Sequence, residues 1–297
     1  MPFARAPILP HFFTVDVEEY FQVTAFERIA PPSTWASLPT RVEASTDRLL
    51  ALLSRHGTVG TFFTVGWVAE RYPDLVRRIA SAGHEVASHG WWHRRVTTLT
   101  PAEFRQEIRR SKATLEDLTG QAVFGFRAPS FSIVPGGEWA FDILLEEGYR
   151  YDSSVFPIRR PDYGYPGAPA EPYQIRRPAG TLLELPMATT VVAGWRLPAA
   201  GGGYLRQLPY GLVARALREH SARGASAMFY IHPWEIDTEQ PRLAVPLVTR
   251  WRHYGGLGRT WPRLERLFRE FRFTSVARHF AIPDGPTANA AWAQVAV

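Results

Sequence analysis

Short apolar, β-branched and aromatic runs alternate with helix-patterned segments along most of this 297-residue chain, and that alternation restricts the fold more than any other feature. It is the pattern of an α/β protein built from successive strand–helix units. The first strand is predicted over Ile8 to Val17. A helix follows over Val42 to Arg55, where Leu49, Leu50, Leu52 and Leu53 supply an apolar face and His56-Gly57 ends it. Gly60 to Gly66 reads as a buried strand, Pro73 to Ala82 as a helix stopped by Gly83, and the run from His84 as a third strand. Thr100 as N-cap, Pro101 in the first turn and Glu103 three residues after the cap predict a helix to about Leu118. Strands beginning at Phe124 and Tyr149 flank a helix over Gly137 to Glu147.

The middle of the chain changes character. From Pro157 to Gly180 it is rich in proline, tyrosine and glycine, and Ala199 to Tyr204 reads as a flexible loop, so irregular excursions are expected around two strands near Leu183 and Val191. A helix over Tyr210 to Ala222, a strand from Ser226 that ends on His232, a helix over Trp261 to Phe271 and the short strand FRFTSV complete the pattern. No repeat and no linker divides it. The expectation is one domain over residues 1–282, with an irregular insertion around 157–204 and a flexible tail over 283–297.

The absence of cysteine excludes disulfides, thiolate metal sites, iron–sulfur clusters and cysteine nucleophiles, while nine histidines leave imidazole–carboxylate metal sites open. The net charge of +6 is carried almost wholly by arginine, Lys112 being the single lysine. The arginines are interleaved with acids, as from Arg105 to Asp117, which marks a solvated helix face rather than a phosphate track, so no nucleic-acid partner is expected. No stretch reaches the ~20 apolar residues of a bilayer span, and prolines interrupt the opening MPFARAPILPHFF where a signal peptide needs an apolar segment. The expected location is cytoplasmic, with peripheral membrane association through the basic surface as its variant.

Ionisable residues collect at predicted strand ends. His89 and His93, in SHGWWH, can reach one metal ion if the segment between them turns helically. In DVEEYF the Asp16-Val17-Glu18 alternation puts both carboxylates on one side of a strand and Glu19 on the other, so Glu18 can bind a metal while Asp16 stays free. Arg127 ends another apolar strand and His232 a fourth. Each has a purely structural reading, an ion pair for Arg127 and a core histidine for His232. Four strands delivering such groups to the same end are hard to explain by stability, because desolvating them together costs several kcal/mol unless they pair or bind metal.

With GTFFTVG, GHEVASHGWWH and FRAPSF in this order, the chain resembles the polysaccharide deacetylase family, the NodB-homology carbohydrate esterases of the family-4 type, over Thr14 to about His232. DVEEYFQV, YDSSVFP, and FYIHPWEID followed by QPRL resemble the branch that accompanies exosortase and exopolysaccharide gene clusters. The resemblance implies a distorted (β/α) barrel of about seven strands. It implies a metal-dependent N-deacetylase acting on N-acetylhexosamine units of an exopolysaccharide or its precursor, with a divalent metal, usually Zn2+, and no organic cofactor. It makes Asp16 the general base, Arg127 its orienting partner, His89 and His93 metal ligands, His232 the general acid, and Pro129 and Phe131 walls of the groove.

Where many members have two adjacent aspartates, Val17 follows Asp16 here; the same-face argument assigns the third ligand to Glu18, with Glu19 as the alternative. The tryptophan expected near Asp152 is absent, Phe156 being the candidate for its packing, and Asp152 either hydrogen-bonds His232 or caps a turn. Trp91, Trp92, Phe131, Trp195, Tyr204 and Trp234 suit stacking on sugar faces, although core packing claims more than half of such residues. Two rival functions use the same fold: a cyclic amide or imide hydrolase like the allantoinases, which needs a closed pocket, and a non-catalytic glycan-binding protein, which predicts loss of base, acid or ligands.

Overall fold

The computed structural model describes residues 9–160, 163–282 and the backbone of 293–296. The strands are β1 (His11–Val17), β2 (Thr61–Thr64), β3 (Glu85–Ser88), β4 (Gly125–Phe126), β5 (Tyr151–Asp152), β6 (Tyr173–Arg177), β7 (Gly180–Glu184), β8 (Thr189–Val192), β9 (Trp195–Pro198), β10 (Met228–Ile231), β11 (Phe273–Thr274) and β12 (Ala293–Ala296). Seven of them form a parallel row in the order β10-β1-β2-β3-β4-β5-β7, the expected α/β architecture. The sheet is larger than the seven strands predicted: β6 adds antiparallel to β7, β12 parallel to β6, and β11 on β1. β8 and β9 make a separate hairpin. Among the described residues no ladder closes the row into a barrel, but Met187, three residues past β7, bridges Met228 at the start of β10 and draws the two ends together.

Alternation along the strands separates two cores. Phe13, Val15 and Val17 of β1 face the outer helices, together with Leu49, Leu52 and Leu53 of the helix Val42–Arg55. Phe12 faces inward with Phe63, Ala87, Tyr151, Leu183, Met187 and Met228, which fill the ring interior. By the same period Thr14 and Asp16 point inward above Phe12. The helices Val42–Arg55 and Tyr210–Ala222 occupy the predicted spans. Pro101–Thr119 carries the predicted capping box, Thr100 and Glu103 exchanging bonds, and ends on Gly120 in the left-handed conformation at φ 66°.

Other elements depart from expectation. The helices Gly66–Arg71 and Leu247–Tyr254 were not predicted, and the last long helix starts at Leu257, a turn before Trp261. The segment over 157–204 is more regular than expected, since it supplies β6 to β9. Nor is Ala199 to Tyr204 a free loop. A Cβ on Gly201 would lie 2.4 Å from the Tyr230 ring and one on Gly202 1.8 Å from the Glu235 carboxylate, so these glycines permit close packing. Of the predicted tail, Ala293–Ala296 pair with β6 and the remainder lies outside the described residues.

Candidate active site

The inward alternation of β1 continues past its end, so Asp16 and Glu18 both reach a cavity of about 480 Å³ that also exposes His89, His93, Phe131, Tyr163, Tyr230 and His232. Glu19 points the other way. Its carboxylate accepts bonds from the backbone N–H groups of Arg41 and Val42 and from the Thr40 hydroxyl at 2.5 Å, capping the start of the helix Val42–Arg55. The alternative ligand assignment therefore has no geometric support.

His89 and His93 converge, but not through a helical turn. The chain leaves β3 and bends through Gly90 at φ 73° and His93 at φ 52°, both left-handed. This turn is held from outside: Gly66 and Trp67 donate to the carbonyls of Gly90 and Trp91, and the Glu107 carboxylate accepts from the N–H groups of Trp91 and Trp92. Trp91 is buried so tightly against Gly66 that a Cβ there would lie 2.4 Å from its ring. The two imidazoles end with ring centroids 5.2 Å apart.

Glu18, His89 and His93 each offer a ligand atom, all within 4.8 Å of one another and all buried. Nδ1 of His89 lies 2.8 Å from the Arg127 carbonyl oxygen, so the ring donates there and keeps the Nε2 lone pair for a ligand role. Burial, opposed by Asp16, pushes the His89 pKa down to about 4, which keeps the ring neutral. Oε2 of Glu18 is buried and sits 2.6 Å from Nε2 of His93, whose Nδ1 is buried without a hydrogen-bond partner. Burial raises the Glu18 pKa, but His93 and His232 outweigh it and hold the carboxyl well below the usual range. A buried carboxylate facing two imidazoles is the donor set of a divalent metal site.

Asp16 and His232 flank these ligands. Arg127, fully buried, donates to Asp16 at 2.6 Å and to Thr14 at 2.9 Å, and is itself fixed by the Ser153 carbonyl and hydroxyl. Its guanidinium lies over Phe63 at 4.1 Å. His232 ends β10 with Nε2 3.9 Å from Asp16 and 3.6 Å from Glu18. Nδ1 of His232 lies 3.1 Å from Oε2 of Glu235, whose other oxygen faces Arg206 at 3.3 Å. Burial lowers the His232 pKa, but Glu18, Glu235 and Asp16 together raise it to about 9.

Three expected groove residues sit elsewhere. Asp152 does not reach His232; it accepts two bonds from Ser154 and pairs in register with the buried Glu184. Burial raises both carboxyl pKa values, Glu184 the more strongly because the Asp152 carboxylate adds to it. Trp234 is buried behind the site, stacked between His232 and His253, and donates to Oε1 of Glu18 at 3.1 Å. Pro129 is buried beneath Gly90, while its neighbours Ser130 and Phe131, at φ 56° and 53°, line the cavity. The Phe131 N–H donates to the Ala128 carbonyl. Phe156 packs on Phe131 at 5.4 Å, as expected of it. Of the aromatic residues suited to sugar faces, Phe131 alone is among the cavity walls; Trp91 is buried and Trp195 is exposed on the β8–β9 hairpin.

Sequence reasoning missed Glu235, Tyr163, Tyr230 and the loop from Val23 to Glu27, which walls the cavity. Glu235 carries a legible signal, an acid three residues after His232 in HPWE, the spacing of a capping box.

Comparison with known families matches two parts of the chain. The family described as "Polysaccharide deacetylase" matches residues 33–135, which contain His89, His93 and Arg127. That segment is similar to the polysaccharide deacetylase family. Asp16 and Glu18 precede the matched segment, and residues 153–281, with His232 and Glu235, match a domain of unknown function (DUF3473). The chain is 31% identical over 115 residues to a peptidoglycan deacetylase of Helicobacter pylori, covering 38% of each protein. It is 33% identical over 93 residues to a peptidoglycan-N-acetylglucosamine deacetylase of Bacillus cereus, covering 31% of this chain and 32% of that one. A chitooligosaccharide deacetylase of a Bradyrhizobium strain is 31% identical over 99 residues, covering 33% and 43%. The chain thus spans less than half the length of these relatives.

Two solved structures share the fold. One, from Mycobacterium smegmatis and assigned to the polysaccharide deacetylases, has a TM-score of 0.59 at 19% identity, covering 93% of this chain and 91% of that one. The Puue allantoinase has a TM-score of 0.56 at 18% identity, covering 95% and 99%.

Proposed function

We propose that this protein is a metal-dependent polysaccharide N-deacetylase that hydrolyses the acetamide of N-acetylhexosamine units in an exopolysaccharide or its precursor. One observation carries the proposal: the buried Glu18–His89–His93 set lies in a single aromatic-walled cavity with Asp16, clamped by Arg127, and His232, clamped by Glu235. The three ligands would hold a divalent ion, Zn2+ being the one proposed from the two-imidazole, one-carboxylate donor set. Such an ion supplies Lewis acidity toward a carbonyl oxygen and toward water.

The chain's own residues do the rest. Asp16 takes a proton from the water whose oxygen bonds to the acetyl carbon, and Arg127 keeps its carboxylate aimed at that point. As the C–N bond breaks, His232 gives a proton to the departing sugar nitrogen, since an amine anion does not leave at neutral pH. Products are acetate and the free amine. Phe131, Tyr163 and Tyr230 offer ring faces to a sugar. The relatives' names, peptidoglycan and chitooligosaccharide deacetylases, support an N-acetylated glycan; the FYIHPWEID and QPRL motifs support the exopolysaccharide branch.

The test is acetate release from N-acetylglucosamine oligomers, with a five-membered cyclic amide as the second substrate. Turnover of the oligomers that is abolished in Asp16→Asn supports the proposal. Turnover of the cyclic amide alone would transfer the site to the allantoinase-like reading, and turnover of neither overturns both.

A further inference from the structure

The helix Leu247–Tyr254 buries His253 and Tyr254 and leaves an apolar face in water. Leu247, Val248 and Trp251 are 80%, 62% and 63% exposed. Three large apolar side chains within five residues form a patch that stability does not explain, whereas isolated exposed ones need no explanation. The charge around the patch is equally one-sided. From Pro241 to Leu264 the chain carries Arg242, Arg250, Arg252, Arg259 and Arg263 and no acidic residue. Elsewhere arginines are commonly neutralised, as Arg105 and Arg109 are by Glu147, but among the described residues Arg242, Arg250, Arg252 and Arg259 have no ion-pair partner.

We propose that this helix docks the protein on an anionic phospholipid surface. An amphipathic segment with a tryptophan, short aliphatic residues and flanking arginines fits the headgroup boundary, where the apolar face enters and the guanidinium groups meet lipid phosphates. Charge complementarity selects this occupant, since an acid-free arginine cluster meets a surface of phosphates. The placement ties docking to the cavity. His253, on the inner face, stacks on Trp234 at 4.2 Å and meets the tilted ring of Phe26 at 4.5 Å, in the loop that walls the site. The carbonyls of Arg252 and His253 accept bonds from Arg206, which faces Glu235, the partner of His232, at 3.3 Å. A docked helix therefore holds the cavity beside the lipid.

The experiment is sedimentation of the whole protein with vesicles of phosphatidylcholine alone or with about one third phosphatidylglycerol. Wild type is compared with Val248→Ser/Trp251→Ser and Arg250→Glu, and with Trp195→Ser as an exposed tryptophan outside the patch. Wild type and Trp195→Ser should pellet with the anionic vesicles at low salt, release as salt rises, and remain in solution with the neutral ones. The patch variants, folded by circular dichroism, should partition about tenfold less. Wild type left in the supernatant, equal pelleting with neutral vesicles, or patch variants that pellet as wild type does would each overturn the proposal. None of these readings depends on deacetylation.

Discussion

Gly202→Ala should disable the proton donor while sparing the fold. A Cβ at position 202 would stand 1.8 Å from Oε2 of Glu235 and 2.5 Å from its carboxyl carbon. Non-bonded atoms need about 3.3 Å or more, so the carboxylate must retreat by roughly 1.5 Å. The same oxygen lies 3.1 Å from Nδ1 of His232 and 3.1 Å from its backbone N–H. Such a retreat carries both contacts past the ~3.5 Å at which a hydrogen bond ceases to be useful. His232 then loses its orientation and a negative partner. Because a positioned general acid contributes about 10²–10⁴-fold, its partial loss should lower kcat for acetate release about 10- to 100-fold with KM little changed. Stability should fall by roughly 1–3 kcal/mol, because the displaced carboxylate is buried and gives up two hydrogen bonds, a loss partly offset by the preference for alanine over glycine in a helix. Gly203→Ala is the control, since the atom nearest its added carbon lies at 3.6 Å. The assay is steady-state acetate release from N-acetylglucosamine oligomers alongside urea unfolding. Equal kcat in the two alanine variants would refute the claim that Glu235 positions His232.

Other expectations follow from the buried charges. Arg127→Met strands Asp16 without its 2.6 Å partner and should cost about 3–5 kcal/mol in urea unfolding with chelator present, while Arg127→Met/Asp16→Leu should recover a large part of that loss; simple additivity would contradict a coupled pair. Glu19→Ala removes the carboxylate that caps the helix Val42–Arg55 and should cost about 1–3 kcal/mol while leaving bound metal unchanged, and loss of metal in this variant would reopen the ligand assignment. His11 and His84, pushed down to about 4 chiefly by burial, accept backbone N–H groups from Ala227 and Gly60 in their neutral forms. With folded pKa values below the unfolded value of about 6.5, the unfolded chain binds more protons between pH 6.5 and 4. Stability is therefore full above that window and falls by a few kcal/mol as pH drops through it, and His11→Asn and His84→Asn should each flatten the slope; slopes equal to wild type would contradict the neutral assignment.

Much of the site could be read from strand periodicity. The separation of Glu18 from Glu19 follows from the two-residue alternation of β1, and the inward Asp16 from the same rule. The helices Val42–Arg55 and Pro101–Thr119 were legible because apolar spacing and a capping box are local signals. What escaped was set by tertiary packing. His89 and His93 meet through left-handed residues that depend on Trp91, Gly66 and Glu107, contacts too distant in sequence to anticipate. Trp234 looked like a sugar platform, but His253 covers its outer face and turns it into support for Glu18. Asp152 left two readings open, a partner for His232 or a turn cap; register places it against Glu184, and its bonds from Ser154 are those of a turn cap. The glycines at 201 and 202 read as flexibility because nothing local announces that Tyr230 and Glu235 fill the space a Cβ would need.

The most direct test of the proposed activity is metal content after zinc loading and dialysis, measured on wild type, Glu18→Ala, His89→Ala and Asp16→Asn. About one ion per chain is expected in wild type and in the inactive Asp16→Asn, with little in either ligand variant. A wild type that retains no metal, or a Glu18→Ala protein that holds it as firmly as wild type, would contradict the assigned site.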